Sequence, residues 1–430
     1  MGYNKLCFFA LAALMLALGT SQGCDNKVRV SNTAPSGLNI IVRGCFVATG
    51  GTVQLVGDAE DADGDSLTFS WTASKGTFTP ASATGAVVDW KAPAEEGAVV
   101  ITMTVTDEVV KVSKAQGVTV CTPFPSSITS SRTIENTGYV YILLNNGRLR
   151  IPPNDTLTIE PGVTIVIDKK SGGFDAYGHI VAMGNPGDKI RMQGNTYTTG
   201  AGLWGGIYLY DEESEGTFSN VDITMSKDGI QVVDQAKLTI DNCEIYDNVN
   251  MGISVQNAGS RAHIHSCNIL GNGTGIEVIN GEADIRGSSI IYSAGNGIEL
   301  SFSLDATPVT IDSCSIRNNG ISGIQLAEKA APEIHHCSIF SNGENPGETN
   351  YGIRLASYTA LDSIQAQNNY WGDGDTTSAK ISAVIYDAQD KPLLLNAYVD
   401  FTPWLRVRHV ATAPAGGRGA KGRSWARLWR

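Results

Sequence analysis

One cadence governs the second half of this chain. DNCEIYDNVNMGISV (Asp241 to Val255) and HSCNILGNGTGIEV (His265 to Val278) share Cys, Ile, Asn, Gly and Ile in one order. DSCSIRNNGISGIQL (Asp312 to Leu326) and HHCSIFSNGENPGETNYGIRL (His335 to Leu355) repeat it. Aligned three residues before the Cys, Phe218, Ile240, Ile264, Ile285, Ile311, Ile334 and Leu361 form one column, at steps of 22, 24, 21, 26, 23 and 27. Three residues on come Val221, Cys243, Cys267, Ser288, Cys314, Cys337 and Ile364; eight on come Ser226, Asn248, Asn272, Ser293, Asn319, Asn342 and Asn369. Each unit then closes with Gly-Ile-x-Val or Gly-Ile-x-Leu, as at Gly252-Ile253 and Gly323-Ile324. A self-similar period near 23 is the mark of a solenoid in which each coil buries its apolar positions against the next. Apolar spacing of two, with Gly in every unit, excludes helical repeats.

Segments on either side extend the pattern. LTIEPGVTIVI, GHIVAMGNPGDKIRMQG and LWGGIYLY precede it; NNYWGDGD and SAVIYDAQDKPLLLNAYVDFTPWL follow. Together they resemble the right-handed parallel β-helix of the pectate-lyase-like superfamily over about residues 130–405. The resemblance implies an all-β fold. It leaves function open, because that fold hosts lyases, hydrolases, epimerases, adhesins and inert surface proteins.

Repeated residues point to architecture and unrepeated ones to chemistry. Cys243, Cys267, Cys314 and Cys337 stack on neighbouring coils, with Ser288 interrupting. In-register strands lie about 4.8 Å apart with parallel Cβ vectors, so a disulfide there is strained. A linear stack also lacks the convergent geometry that a metal needs. The expectation is small, inward, inert thiols. Asn248, Asn272, Asn319, Asn342 and Asn369 suit a ladder of amides bonded from coil to coil. Outward columns read Asp241, His265, Arg286, Asp312, His335 and Thr239, His263, Asp284, Thr310, Glu333. Neighbouring charges alternate, which fits lateral pairing. Asp241, His265, Arg286 and Asp312 are also the catalytic candidates, since acid–base chemistry needs such groups to converge. On the opposite strand, Tyr208 and Tyr210 beside Trp204 suit stacking on a sugar ring.

Residues 33–122 read differently. Val53-Leu55, Leu67-Phe69-Trp71 and Val99-Ile101-Met103-Val105 alternate between turn clusters at roughly ten-residue spacing, which predicts a small β-sandwich with Trp71 in its core. DADGDSLTFSW, WKAP and VTD resemble the PKD and immunoglobulin-like modules of bacterial surface proteins. Such a module serves as a spacer. Asp61, Asp63 and Asp65 offer either a calcium loop or a polar inter-strand turn; the loop lacks the closing Glu of an EF-hand. No other cofactor is expected. Cys45 and Cys121 bracket the module, and a disulfide between them is expected in an oxidising compartment.

The first 23 residues carry Lys5 and an apolar run from Leu6 to Leu18, of signal-peptide length. The segment resembles a bacterial lipoprotein signal, with Cys24 as the lipidated residue, although Ser21 stands where such signals usually carry Leu. Residues 24–32 read as a linker. The resemblance implies export, anchoring by acyl chains and an outer-membrane or cell-surface location, with the periplasmic face open. The tail 406–430 holds six Arg, one Lys and no acid, and reads as a basic disordered terminus. The net charge of −12 thus conceals −19 in the rest of the chain, which argues against nucleic acid as partner. The expectation is a surface protein with a structural, adhesive or glycan-binding role. A polysaccharide lyase, hydrolase or epimerase acting on an acidic polysaccharide is the alternative.

Overall fold

The computed structural model describes residues 32–42, 46–144, 147–195, 202–303, 308–343, 351–359, 363–372, 377–387, 389–390 and 397–408. Cys24, Cys45 and the basic tail beyond residue 408 lie outside them. Among the described residues there is one short helix, Ser378–Ser382; everything else regular is strand.

Three parallel walls make the solenoid. A coil runs through the first wall (Lys237–Asp241), the second (Glu244–Tyr246) and the third (Met251–Gln256), then steps up to the next coil. Among the described residues the first wall has 11 strands and the third 10. Phe218, Ile240, Ile264, Ile285, Ile311 and Ile334 pair in succession on the first wall, as the repeat spacing predicts. Ile207, Ile230, Ile253, Ile276, Ile298, Ile324 and Ile353 do so on the third. All of these are buried. Each burial contributes roughly 1.5–3 kcal/mol, so the stacked columns dominate the stability of the coil.

The corners explain the residues beside the Cys. The bend from first to second wall is made by one residue at positive φ, as at Asn220, Asn242, Ser266 and Ser313. Asn adopts this conformation more readily than most residues. Gly252 serves close approach instead: a Cβ there would sit 2.6 Å from the Gly275 carbonyl oxygen on the next coil.

The Asn column is a hydrogen-bonded ladder. Asn248 Oδ1 accepts from the Ser226 N–H at 2.9 Å and its hydroxyl at 2.6 Å. Asn272 Oδ1 accepts from Asn248 N and Nδ2, and Asn342 Oδ1 from Asn319 N and Nδ2. The thiol column works alike. Val221 N–H donates to Cys243 Sγ at 3.3 Å, Cys267 N–H to Ser288 Oγ at 3.1 Å, and Cys314 N–H to Cys337 Sγ at 3.4 Å. The four thiols are buried and unbridged. Burial, reinforced by the adjacent Cys, pushes the Cys243 and Cys337 thiols well above their ordinary pKa.

The last coil departs from the expected alignment. Glu333 pairs with Gln365, so the register places Ala366 above Ile334 and Asn369 above Cys337. Cys337 N–H donates to Asn369 Oδ1 at 2.8 Å, so Asn369 caps the thiol column and not the Asn column. Ile364 pairs with Val399 on the first wall. Leu361 lies outside the described residues.

The N-terminal region packs two sheets around Leu55, Trp71, Trp90, Ile101, Met103 and Val105. One sheet holds Ser36–Val42, Thr52–Glu60, Val87–Lys91 and Thr77–Thr79, all antiparallel. The other holds Thr68–Ala73, Gly97–Thr106 and Lys111–Pro123. No gap separates this region from the solenoid. Lys111–Pro123 pairs with Gly97–Thr106 and, at Thr122 and Pro123, with Val140–Leu143 of the first coil. Its sheet continues into the second wall, and Ala48, Cys121 and Ile142 form a small core at the junction.

The ladder predicts an order of stabilities. Cys337→Ser keeps an acceptor for the Cys314 N–H, whereas Cys337→Ala removes it and leaves a buried donor, at about 1–3 kcal/mol. Thermal melting should therefore rank wild type and Cys337→Ser above Cys337→Ala; the reverse order for the two variants would remove the hydrogen-bonding role.

Candidate functional site

Since the inward columns are committed to packing, chemistry is confined to the outer faces. The third wall carries Arg150, Asp175, Tyr208, Gln231, Ser254, Glu277, Glu299, Gln325, Arg354 and Tyr386 in one in-register column at outward positions, with Ser254 buried beneath Gln256 and Glu277. Its early end is aromatic and cationic. Tyr177 and Tyr210 stack at 5.1 Å and 16°, and the Arg150 guanidinium lies 4.2 Å from the Tyr177 ring centre. Tyr208 meets Tyr210 edge-on at 5.9 Å, and Arg148 lies 3.8 Å over its ring.

Arg148 is fixed from several sides. It pairs with Asp175, and its Nη2 donates to the carbonyls of Phe174 at 2.7 Å and Gly206 at 3.0 Å. The chain makes room for it with glycines. A methyl on Gly205 would collide with the guanidinium, and Gly206, at φ +90°, would drive one into the Asp228 carbonyl. Tyr208 Oη donates to Asp228 Oδ2 at 2.8 Å, and Asn250 Nδ2 donates to Oδ1 at 2.7 Å. Asp228 is 1% exposed, so these bonds orient a buried carboxylate. Burial first, and then the Asp228 contact, raise the Tyr208 pKa; burial also raises that of Tyr210. Neither phenol is poised to act as a base at neutral pH. Further along, Glu277 accepts from Ser254 Oγ at 2.8 Å and Gln256 Nε2 at 3.2 Å, and Glu299 from Asn296 at 3.0 Å and Gln325 at 3.2 Å.

Trp204 does not belong to this surface. It is 0% exposed and donates its indole N–H to the Thr224 carbonyl at 2.9 Å, so no sugar reaches it. It bridges to Ser226 at a corner, where its size fills the interior. Arg148, Arg150, Tyr177 and Asp228 escaped sequence reasoning. Their signal was present in the paired glycines of SGGFDAY and WGGIYLY, which open consecutive third-wall strands and clear space for a side chain crossing them.

Asp241, His265, Arg286 and Asp312 are in register on the first wall but do not converge on one point. His265 Nε2 and Arg286 Nε instead meet Asp284, at 3.1 and 2.6 Å, and Asp312 meets His336 Nδ1 at 3.0 Å. Burial disfavours the Asp284 charge, but Arg286 and His265 outweigh it and hold its pKa below the usual carboxylate range. An arginine paired in this way is a poor base.

Among the described residues, two groups bring possible metal ligands within 4.8 Å: His263, His265 and Asp284, and Asp61, Asp63 and Asp65. In the second, Asp61 Oδ1 accepts the N–H of Asp63 at 2.9 Å and of Asp65 at 3.1 Å, which is the polar-turn geometry. Burial and the surrounding acids raise the Asp65 pKa.

A family model described as "Right handed beta helix region" matches residues 127–290 and 205–370. The chain belongs to that right-handed β-helix family. Among solved structures, the A-module of mannuronan C-5 epimerase AlgE6 from Azotobacter vinelandii is similar at 12% identity and a TM-score of 0.21. That match covers 56% of this β-helix chain and 68% of the module. No curated protein matches the chain.

Proposed function

We propose that this β-helix protein is an exported, lipid-anchored surface protein that binds an extended glycan along its third wall. One observation carries the reading: two arginine–tyrosine contacts, Arg148 with Tyr208 and Arg150 with Tyr177, meet on an outward face whose column continues into amides and carboxylates. Aromatic faces stack on the apolar side of sugar rings, while guanidinium, amide and carboxylate groups bond the hydroxyls. Strands repeat about every 4.8 Å, close to the length of one pyranose, so successive coils can meet successive sugars. The N-terminal two-sheet region serves as a PKD or immunoglobulin-like spacer, with Cys45 and Cys121 as its disulfide. Acylated Cys24 fixes the chain to the outer membrane.

The expected experiment is a panel of soluble linear polysaccharides titrated against the purified chain. Tyr177→Ala and Tyr210→Ala should each weaken the selected glycan about fivefold, the equivalent of roughly 1 kcal/mol, with the circular dichroism unchanged. Equal binding by both variants would remove the third wall from the account.

A second reading rests on Glu277 and Glu299, neighbours in register on the same wall. Two adjacent carboxylates are the minimum a glycoside hydrolase requires. Chain cleavage of the bound polysaccharide, lost in Glu299→Gln, would make the protein an enzyme; binding without new products supports the first reading.

The anchor is separately testable. Cys24→Ala should move the protein from the membrane to the soluble fraction, and unchanged fractionation would exclude acylation there.

A further inference from the structure

We propose that His263, His265 and Asp284, on the first wall, bind one late first-row divalent metal ion, with Zn²⁺ the fitting candidate. The site is independent of the glycan reading and lies on a different wall.

Strand periodicity sets it up. His263 and His265 sit two residues apart on Arg261–His265, so both imidazoles point outward from one strand. Asp284 is the in-register neighbour of His263 on the next coil. Its Oδ2 lies 3.1 Å from His265 Nε2 and 3.8 Å from His263 Nδ1. The two rings meet at 71° with centres 6.1 Å apart, and all three ligand atoms lie within 4.8 Å of one another. Tetrahedral zinc, with bonds of about 2.0–2.1 Å, wants its ligands roughly 3.3 Å apart. Small rotations of two half-exposed rings close that difference.

Arg286 makes the arrangement more than a chance cluster. Its Nε donates to Asp284 Oδ1 at 2.6 Å and leaves Oδ2 facing the imidazoles. It is therefore a positioning residue, orienting the carboxylate as partners behind a metal ligand do. Two nitrogens and one oxygen select a borderline cation and reject calcium and magnesium, which take oxygen ligands. Three protein ligands leave a fourth position for water. The side chains of His263 and His265 are 58% and 40% exposed, so an ion reaches them from solvent. Once bound, it ties two consecutive coils together and stabilises the folded register by mass action.

The test uses the full chain without a histidine tag, stripped with chelator and titrated with CoCl₂ and ZnCl₂. The expected result is one ion per chain, with Co²⁺ visible absorption and a Zn²⁺-dependent rise in melting temperature. His263→Ala and His265→Ala should each abolish both signals. Arg286→Ala should weaken affinity about tenfold without abolishing it. Metal-free melting of every variant should match the wild type, which separates lost ligation from lost folding. The absence of saturable binding, or binding that persists in the His263→Ala/His265→Ala double variant, overturns the proposal.

Discussion

The stacking of isoleucine on isoleucine from coil to coil is the constraint on which the rest depends. Ile240, Ile264, Ile285, Ile311 and Ile334 are buried and paired in sequence. A slip of one residue would turn every inward side chain outward. The register is therefore fixed coil by coil, and positions beside the isoleucines inherit it. The Asn and thiol ladders answer a second demand of the same geometry: the backbone N–H at each corner needs a partner in a dry interior. Side chains of different chemistry satisfy it. Ser288 replaces a thiol as acceptor, and Asn369 replaces one at the end of the column.

Fixed register inside confers freedom outside. Each outward position meets a chosen neighbour about 4.8 Å away, so functional groups can be placed on a grid. The third wall uses this to gather Arg148, Tyr177, Tyr208 and Tyr210 from three coils. The first wall uses it to set Asp284 between two histidines and an arginine. Neither group repeats. Where the repeat breaks on the surface, a reason other than packing is needed.

Much of this was legible in the sequence. The repeat gave the register of the inward columns from Phe218 to Ile334, and the outward first-wall columns with it. It failed at the last coil because Asn suits both ladders: each needs a polar acceptor at a corner, so Asn369 fits two alignments equally well. Trp204 misled because an aromatic beside two outward tyrosines looks like part of their surface, whereas its corner position turns it in. The sheet shared across residue 122 was not legible, for another reason. Lys111–Pro123 alternates as one continuous strand, and pattern alone does not show that its two ends pair with different neighbours. Contacts such as Arg148 with Asp175 join residues 27 apart on adjacent coils, and only the coil register reveals them.

The most direct test of the account is hydrogen exchange with and without the polysaccharide that the chain selects. The account predicts protection concentrated on the third wall, at Arg148–Ile151, Gly173–Ala176 and Ile207–Tyr210, with the first wall unchanged. Protection confined to the first wall or to the N-terminal sheets would contradict it.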